Sequence, residues 1–165
     1  MLELYAGSYC EQEPVTCIDK KSKQLLGDIR PPPPIDPGVP AKHDDEYIRV
    51  GTCNVFVTLE PRGKRWAVRV TRRRTKPEFV AFVRGLLQRT YASARKVHLV
   101  PDNLDTHFLS SFEQVLGRPV ARALSRRVQF QYTPKHASWL NMTEIEINIP
   151  ERQCLGRPLM GEVRA

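Results

Sequence analysis

What this chain has little of narrows its possibilities first. Only four cysteines occur in 165 residues, Cys10, Cys17, Cys53 and Cys154, and no two form a C-x-x-C pair. A disulfide-stapled secreted scaffold is therefore the poorer reading, and reduced cytosolic thiols the simpler one. A zinc module built on Cys154, His107 and His136 lacks the close pair spacing of structural zinc sites. No apolar run approaches roughly eighteen residues, which excludes a helical membrane span. The opening MLELYAGSYCEQEP is too polar, and not basic enough, for a signal peptide. Acidic residues are the minority: 18 Asp and Glu stand against 26 Lys and Arg, a formal net charge of +8. That excess favours polyanionic partners, nucleic acid before an acidic membrane surface. With 41% hydrophobic residues the chain can bury a core, and its length fits one domain, residues 1–165.

The first strand signal is VTCIDK, Val15 to Lys20, which carries Asp19 at its end; KKSKQLLGDIR reads as a second strand or a hairpin. Pro31 to Pro40 holds six prolines and one glycine in ten residues, and reads as a stiff exposed loop with polyproline character. Cys53 to Leu59 and Trp66 to Val70 are expected to pair as an antiparallel hairpin across EPRGKR. Alternation puts Trp66, Val68 and Val70 on one face. An amphipathic helix is expected from Thr75, as cap, and Pro77, in the first turn, to about Tyr91. Then the order alternates: a strand Lys96 to Asp102, a helix through Phe108 and Leu116 stopped by Gly117 and Pro119, and a short helix Ala121 to Arg127. A strand Val128 to Tyr132 follows, and a last helix begins near Asn141, where Asn141 and Glu144 have the spacing of a capping box.

Asp19 and Asp102 both read as strand-end carboxylates. Alone, such a residue is commonly a turn residue or helix cap. Where strands feed helices, however, ligands gather beyond the carboxyl ends of the strands. With Glu144 in the first turn of the last helix, three carboxylates from distant parts of the chain can meet. Held close, they repel one another, and a hard divalent cation such as Mg²⁺ or Mn²⁺ relieves that repulsion.

Four stretches carry a family resemblance. They are C-I-D-K-K-S-K-Q-L-L-G around Asp19, G-T-C-N-V-F at Gly51 to Phe56, L-V-P-D-N-L-D-T-H at Leu99 to His107, and Y-T-P-K-H-A-S-W-L-N-M-T-E-I-E at Tyr132 to Glu146, trailed by R-Q-C-L at Arg152 to Leu155. In this order they resemble the catalytic domain of insertion-sequence transposases of the IS630 type, within the Tc1/mariner-like group of DDE transposases and integrases. The resemblance implies an α/β, RNase H-like fold: a mixed five-stranded sheet flanked by helices, incomplete at its C-terminus. It implies an acidic triad of Asp19, Asp102 and Glu144 holding two Mg²⁺ or Mn²⁺ ions, with Glu146 the near competitor for the third place. It also implies in-line phosphoryl transfer on DNA, first strand cleavage and then 3′-end joining. Asn103, His107, Lys135, His136 and Asn141 fall inside the matching stretches as residues that orient DNA or metal-bound water; for the histidines a hydrogen-bonded structural role is the alternative.

Three departures qualify that expectation. The family's helix-turn-helix region does not precede these stretches, so a truncated copy is expected. Lys20 stands where the family has an acid beside the first aspartate; alternation along a strand would turn it to the opposite face. Pro150, six residues after Glu144, cannot donate a helical hydrogen bond, which predicts a last helix shortened near 149–150. The alternative function is a non-catalytic remnant that binds nucleic acid or a partner and keeps the fold.

Arg62 to Lys76 contains eight Arg and Lys, among them Arg62, Lys64, Arg65, Arg72, Arg73 and Arg74. Such a run reads either as a solvated hairpin or as a phosphate-tracking surface, and the net charge favours the second. The expected partners are DNA and, in a synaptic complex, a second copy. The expected setting is a bacterial cytoplasm, associated with DNA and not with membrane.

Overall fold

The structure is a computed structural model and describes residues 2–29, 38, 46–101, 108–134, 137–150 and 159–160. A short helix α1, Leu2–Ala6, precedes a 14-residue strand β1, Val15–Asp28. Next come β2, Tyr47–Glu60, and β3, Arg65–Thr71, joined by the turn at 61–64. Helix α2, Lys76–Gly85, runs into one π-helical stretch, Leu86–Thr90, closed by the Tyr91 N–H on the Leu86 carbonyl at 2.8 Å. The remainder is β4, Val97–Pro101; α3, Phe108–Leu116; α4, Arg118–Ser125; β5, Val128–Phe130; α5, Met142–Pro150; and a two-residue β6, Leu159–Met160.

The sheet order is β3-β2-β1-β4-β5, with β6 pairing parallel to β1 at Leu25 and Leu26. β1, β2 and β3 are antiparallel neighbours, whereas β1, β4 and β5 run parallel. This is the mixed five-stranded sheet with flanking helices of an RNase H-like domain. Alternation along β1 and β2 separates two faces. Ile18 and Phe56 point into the main core with Val80, Phe82, Val83, Leu87, Leu99 and Phe112, beneath α2 and α3. The Phe56 and Phe82 rings sit 5.6 Å apart, and Phe79 meets Phe112 edge-on at 6.1 Å. Cys17 and Leu59 point to the other face, where α5 packs on β1 and β2. There the Tyr5 hydroxyl donates to the Leu140 carbonyl at 2.8 Å and lies 3.1 Å from the Cys17 sulfur, tying α1 to the approach to α5. Burial pushes both the Tyr5 hydroxyl and the Cys17 thiol upward in pKa, so both stay neutral.

Several sequence expectations need correction. Asp19 does not end its strand. β1 continues through Lys20–Asp28, and KKSKQLLGD is its second half rather than a new strand or hairpin. β2 likewise begins earlier than Cys53, at Tyr47. Pro119 does not stop a helix; it occupies the first turn of α4, where its missing N–H costs nothing. The chain turns instead at Gly117, whose φ of 76° suits glycine. Trp66, Val68 and Val70 do share a face, but it is the open one, and all three are more than half exposed. Only Ala67, pointing the other way, packs on the core. The proline-rich stretch lies almost wholly outside the described residues.

Arg127 closes the end of the π-helical stretch: its guanidinium donates to the carbonyls of Tyr91 at 2.7 Å and Ala94 at 3.0 Å. A cation there satisfies carbonyls that have no helical partner, and fixes β5 against the helix layer.

Candidate active site

The site is built on β1. Its parallel pairing with β4 ends at Ile18↔Pro101, and Asp19 is the next residue. Asp19 thus lies inside a strand, one residue past the described pairing of β1 with β4. Asp19 is half-buried, and one carboxylate oxygen accepts the Lys20 N–H at 2.6 Å. Lys20 pairs with Phe56, on the core side, whereas Asp19 pairs with Val57. Their side chains therefore leave opposite faces, and the lysine beside the carboxylate does not share its site.

Glu144 is placed by α5. Asn141, wholly buried, precedes the helix and does two things at once. Its side-chain oxygen accepts the Thr143 N–H at 3.2 Å, the ordinary capping bond. Its amide nitrogen donates to the Ile18 carbonyl at 3.0 Å, bridging 123 positions of sequence. One side chain thus starts the helix and docks its first turn on β1 immediately before Asp19. In place of the reciprocal capping box, the Glu144 N–H bonds the Asn141 carbonyl at 3.0 Å, leaving the Glu144 carboxylate uncommitted to the cap. Glu146, two residues on, points elsewhere around the helix. Asn141 thus holds the first turn of α5 against β1 from a fully buried place.

Asp102, Asn103, His107, Lys135 and His136 lie outside the described residues. Among the described residues, no three His, Cys, Asp or Glu side chains gather as a metal site. The donor chemistry nevertheless fits a hard divalent ion: Asp19 and Glu144 offer carboxylate oxygens, and the nearest lysine in sequence is turned to the other face.

The basic run divides. Arg65 is drawn into the protein, 2.8 Å from Glu11 and 3.9 Å from Glu60. Arg62 donates to the Gly7 carbonyl and Lys76 to Gln114. Lys64, in the turn, and Arg72, Arg73 and Arg74, after β3, have exposed side chains. Charge periodicity alone did not single out Arg65, because its acids come from Glu11 and the end of β2.

Glu60 is a functional-looking group that the sequence did not signal. It is 1% exposed, and no hydrogen bond of ordinary geometry reaches its carboxylate oxygens, although the Tyr91 and Tyr9 hydroxyls stand close enough to favour the anion. It fits only because residue 63 is glycine, where a Cβ would run into the carboxylate. Burial raises its pKa, with the Arg65 charge opposing the rise. For a carboxyl raised above its unfolded value, stability is fullest below the unfolded pKa of about 4.3 and falls as pH rises through the folded value. Glu60→Gln should therefore unfold at a higher temperature than the unaltered chain at pH 8, with the gap closing toward pH 4. A Gln variant that instead unfolds at a lower temperature than the unaltered chain at pH 8, with the deficit shrinking on acidification, would show that Glu60 is held as a stabilising anion.

No curated protein matches this chain. Among solved structures, a Mos1 pre-cleavage transpososome aligns with 84% of this chain and 42% of its own, at 14% identity and a TM-score of 0.48. A Mos1 mariner paired-end complex with Mn aligns at 16% identity and 0.41, covering 81% and 38%. A simian T-cell lymphotropic virus intasome, in complex with a PP2A regulatory subunit, aligns at 8% identity and 0.47, covering 93% and 46%. The chain spans less than half the length of each of these proteins. The model of the DDE superfamily endonucleases matches residues 14–163, from the start of β1 to past β6. With nine-tenths of its length inside that match, the chain belongs to the DDE superfamily endonucleases.

Proposed function

We propose that this domain cuts and joins DNA strands in transposition, as an element-encoded transposase of the IS630 type. Asp19, Asp102 and Glu144 would hold two Mg²⁺ or Mn²⁺ ions. Such ions, when bound, activate a nucleophilic oxygen and stabilise the leaving one. The protein's own part is placement. β1 carries Asp19 one residue past Ile18, which pairs with Pro101; Asp102 follows Pro101 in the chain; and Asn141 bonds the first turn of α5 to the Ile18 carbonyl. That Asn141 bridge is the observation that carries the reading, because it brings the last helix to the one strand that bears the first acid. Asn103, His107, Lys135 and His136 would orient DNA or metal-bound water, and a second copy would complete a synaptic complex in a bacterial cytoplasm.

The direct test is nicking of supercoiled plasmid in Mn²⁺ and in Mg²⁺. Slow, metal-dependent nicking is expected, and on DNA held only through phosphate contacts it should show no site preference, since such contacts do not hold one bond in register. A chain that binds DNA but neither binds metal nor nicks would instead be a non-catalytic remnant. DNA affinity should fall steeply with salt, and reversing Arg72, Arg73 and Arg74 to glutamate should remove most of it. Every phosphate no longer neutralised should also flatten the log–log salt slope by about one. Equal binding by both proteins at low salt would place the DNA elsewhere.

A further inference from the structure

The exposed row on β3 has no role in the reading above. Trp66 is 56% exposed, and Val68 and Val70 stand beside it on the same face. β3 is an edge strand, and α5 packs over β1 and β2. Cross-strand partners share a face, so the register connects this row to the site: Asp19 pairs with Val57, and Val57 with Val68. Trp66 pairs with Leu59, itself opposite Cys17, two residues before Asp19. Two strand spacings across and two residues along put Trp66 about 12 Å from Asp19, Cα to Cα.

The strand that carries the row is itself of one sign, and the acids that reach it, Glu11 and Glu60, meet Arg65. From Pro61 to Pro77 there is no acidic residue, and Lys64 and Arg72 to Arg74 lie exposed at either end of β3. A second copy pairing along this edge would bring those cations against one another, and an apolar protein segment would gain nothing from them. An unpaired nucleic-acid strand matches both features. Its phosphates suit the cations, and its bases, free of a complementary strand, can stack on an exposed indole. Duplex DNA offers the phosphates but keeps its bases inside. We propose that Trp66 is a stacking platform for an unpaired nucleotide of the DNA strand engaged at the Asp19 site, with Val68 and Val70 as its apolar floor. The proposal rests on the DNA-processing reading and assigns to it a single-strand preference which that reading does not require.

The chain has two tryptophans, Trp66 and Trp139, so Trp139→Phe leaves Trp66 as the only indole reporter. Titrating that variant with a short oligothymidylate should quench its fluorescence, while a duplex of equal length should quench it far less. Trp66→Ala should weaken oligothymidylate binding roughly five- to a hundredfold, the range expected when one base is deprived of its aromatic partner, with duplex affinity nearly unchanged. Trp66→Phe should recover most of the affinity, which a purely steric role would not require. Binding of both DNA forms with an unresponsive Trp66, and no effect of Trp66→Ala, would overturn the platform and leave the DNA-processing reading standing. Absence of any DNA binding would overturn both. A concentration-dependent emission shift without DNA, abolished by Val68→Glu, would show the row to be an interface between copies and would equally overturn it.

Discussion

Asp19→Asn should abolish metal-dependent nicking while leaving the fold intact. The substitution keeps an oxygen able to accept the Lys20 N–H and removes only the charge. Mutating the outer hydrogen-bonding partners of a metal site typically costs 10–100-fold, so loss of a ligand should cost more, beyond roughly a hundredfold in nicking rate. The unaltered and Asn proteins should melt within a few degrees of each other without metal, and only the former should gain stability as Mn²⁺ is added. Glu144→Gln should behave like Asp19→Asn. Glu146→Gln should nick nearly as the unaltered chain does, because its side chain leaves a different side of α5. If Glu146→Gln is the inactive variant and Glu144→Gln the active one, the third acid has been assigned to the wrong helix position.

Asn141 should be the most sensitive uncharged position. Asn141→Ala removes a helix cap, worth about 0.5–2 kcal/mol, and leaves the Ile18 carbonyl without its partner in a fully buried place, at about 1–3 kcal/mol more. A combined loss of about 1.5–5 kcal/mol in a domain of this size lowers the melting temperature by roughly 3–20 °C. Asn141→Ser separates the two contributions. Serine caps about as well as asparagine, but its shorter side chain does not reach Ile18. It should retain part of the stability and still lose Mn²⁺ affinity, because the first turn of α5 is no longer docked on β1. Full metal affinity in the serine variant would mean that the position of Glu144 is set by α5 packing alone.

Much of this arrangement is visible in the order of residues, and the parts that are not have definable causes. The hairpin of β2 and β3, the proline-led start of α2 and the strand before Asp102 follow from alternation, capping and turn chemistry acting locally. The true length of β1 does not. Among the described residues, β3 pairs with β2 only from Asn54 to Glu60 and β4 with β1 only as far as Ile18, and Lys20, Ser22 and Gln24 are exposed. Polar residues are tolerated there on both faces, and no alternation marks the strand. The β3 row shows the complementary problem. Alternation assigned Trp66, Val68 and Val70 to one face, but which face is covered depends on where α5 packs, and that is a long-range matter. Asn141 was legible as a cap because capping is local, whereas its bond to Ile18 joins opposite ends of the sequence. Arg65 looked like its neighbours until Glu11 and Glu60 closed on it. What remained legible throughout was the order of the matching stretches, which the family match at residues 14–163 spans.

The central claim is that Asp19, Asp102 and Glu144 act as one divalent-metal site. Calorimetric titration of the purified chain with Mn²⁺ tests it most directly, repeated with Asp19→Asn, Asp102→Asn and Glu144→Gln. Saturable binding is expected, weakened at least tenfold by each of these three substitutions, with Glu146→Gln indistinguishable from the unaltered chain. Saturable binding of equal strength in all five proteins, or in every protein except Glu146→Gln, would contradict it.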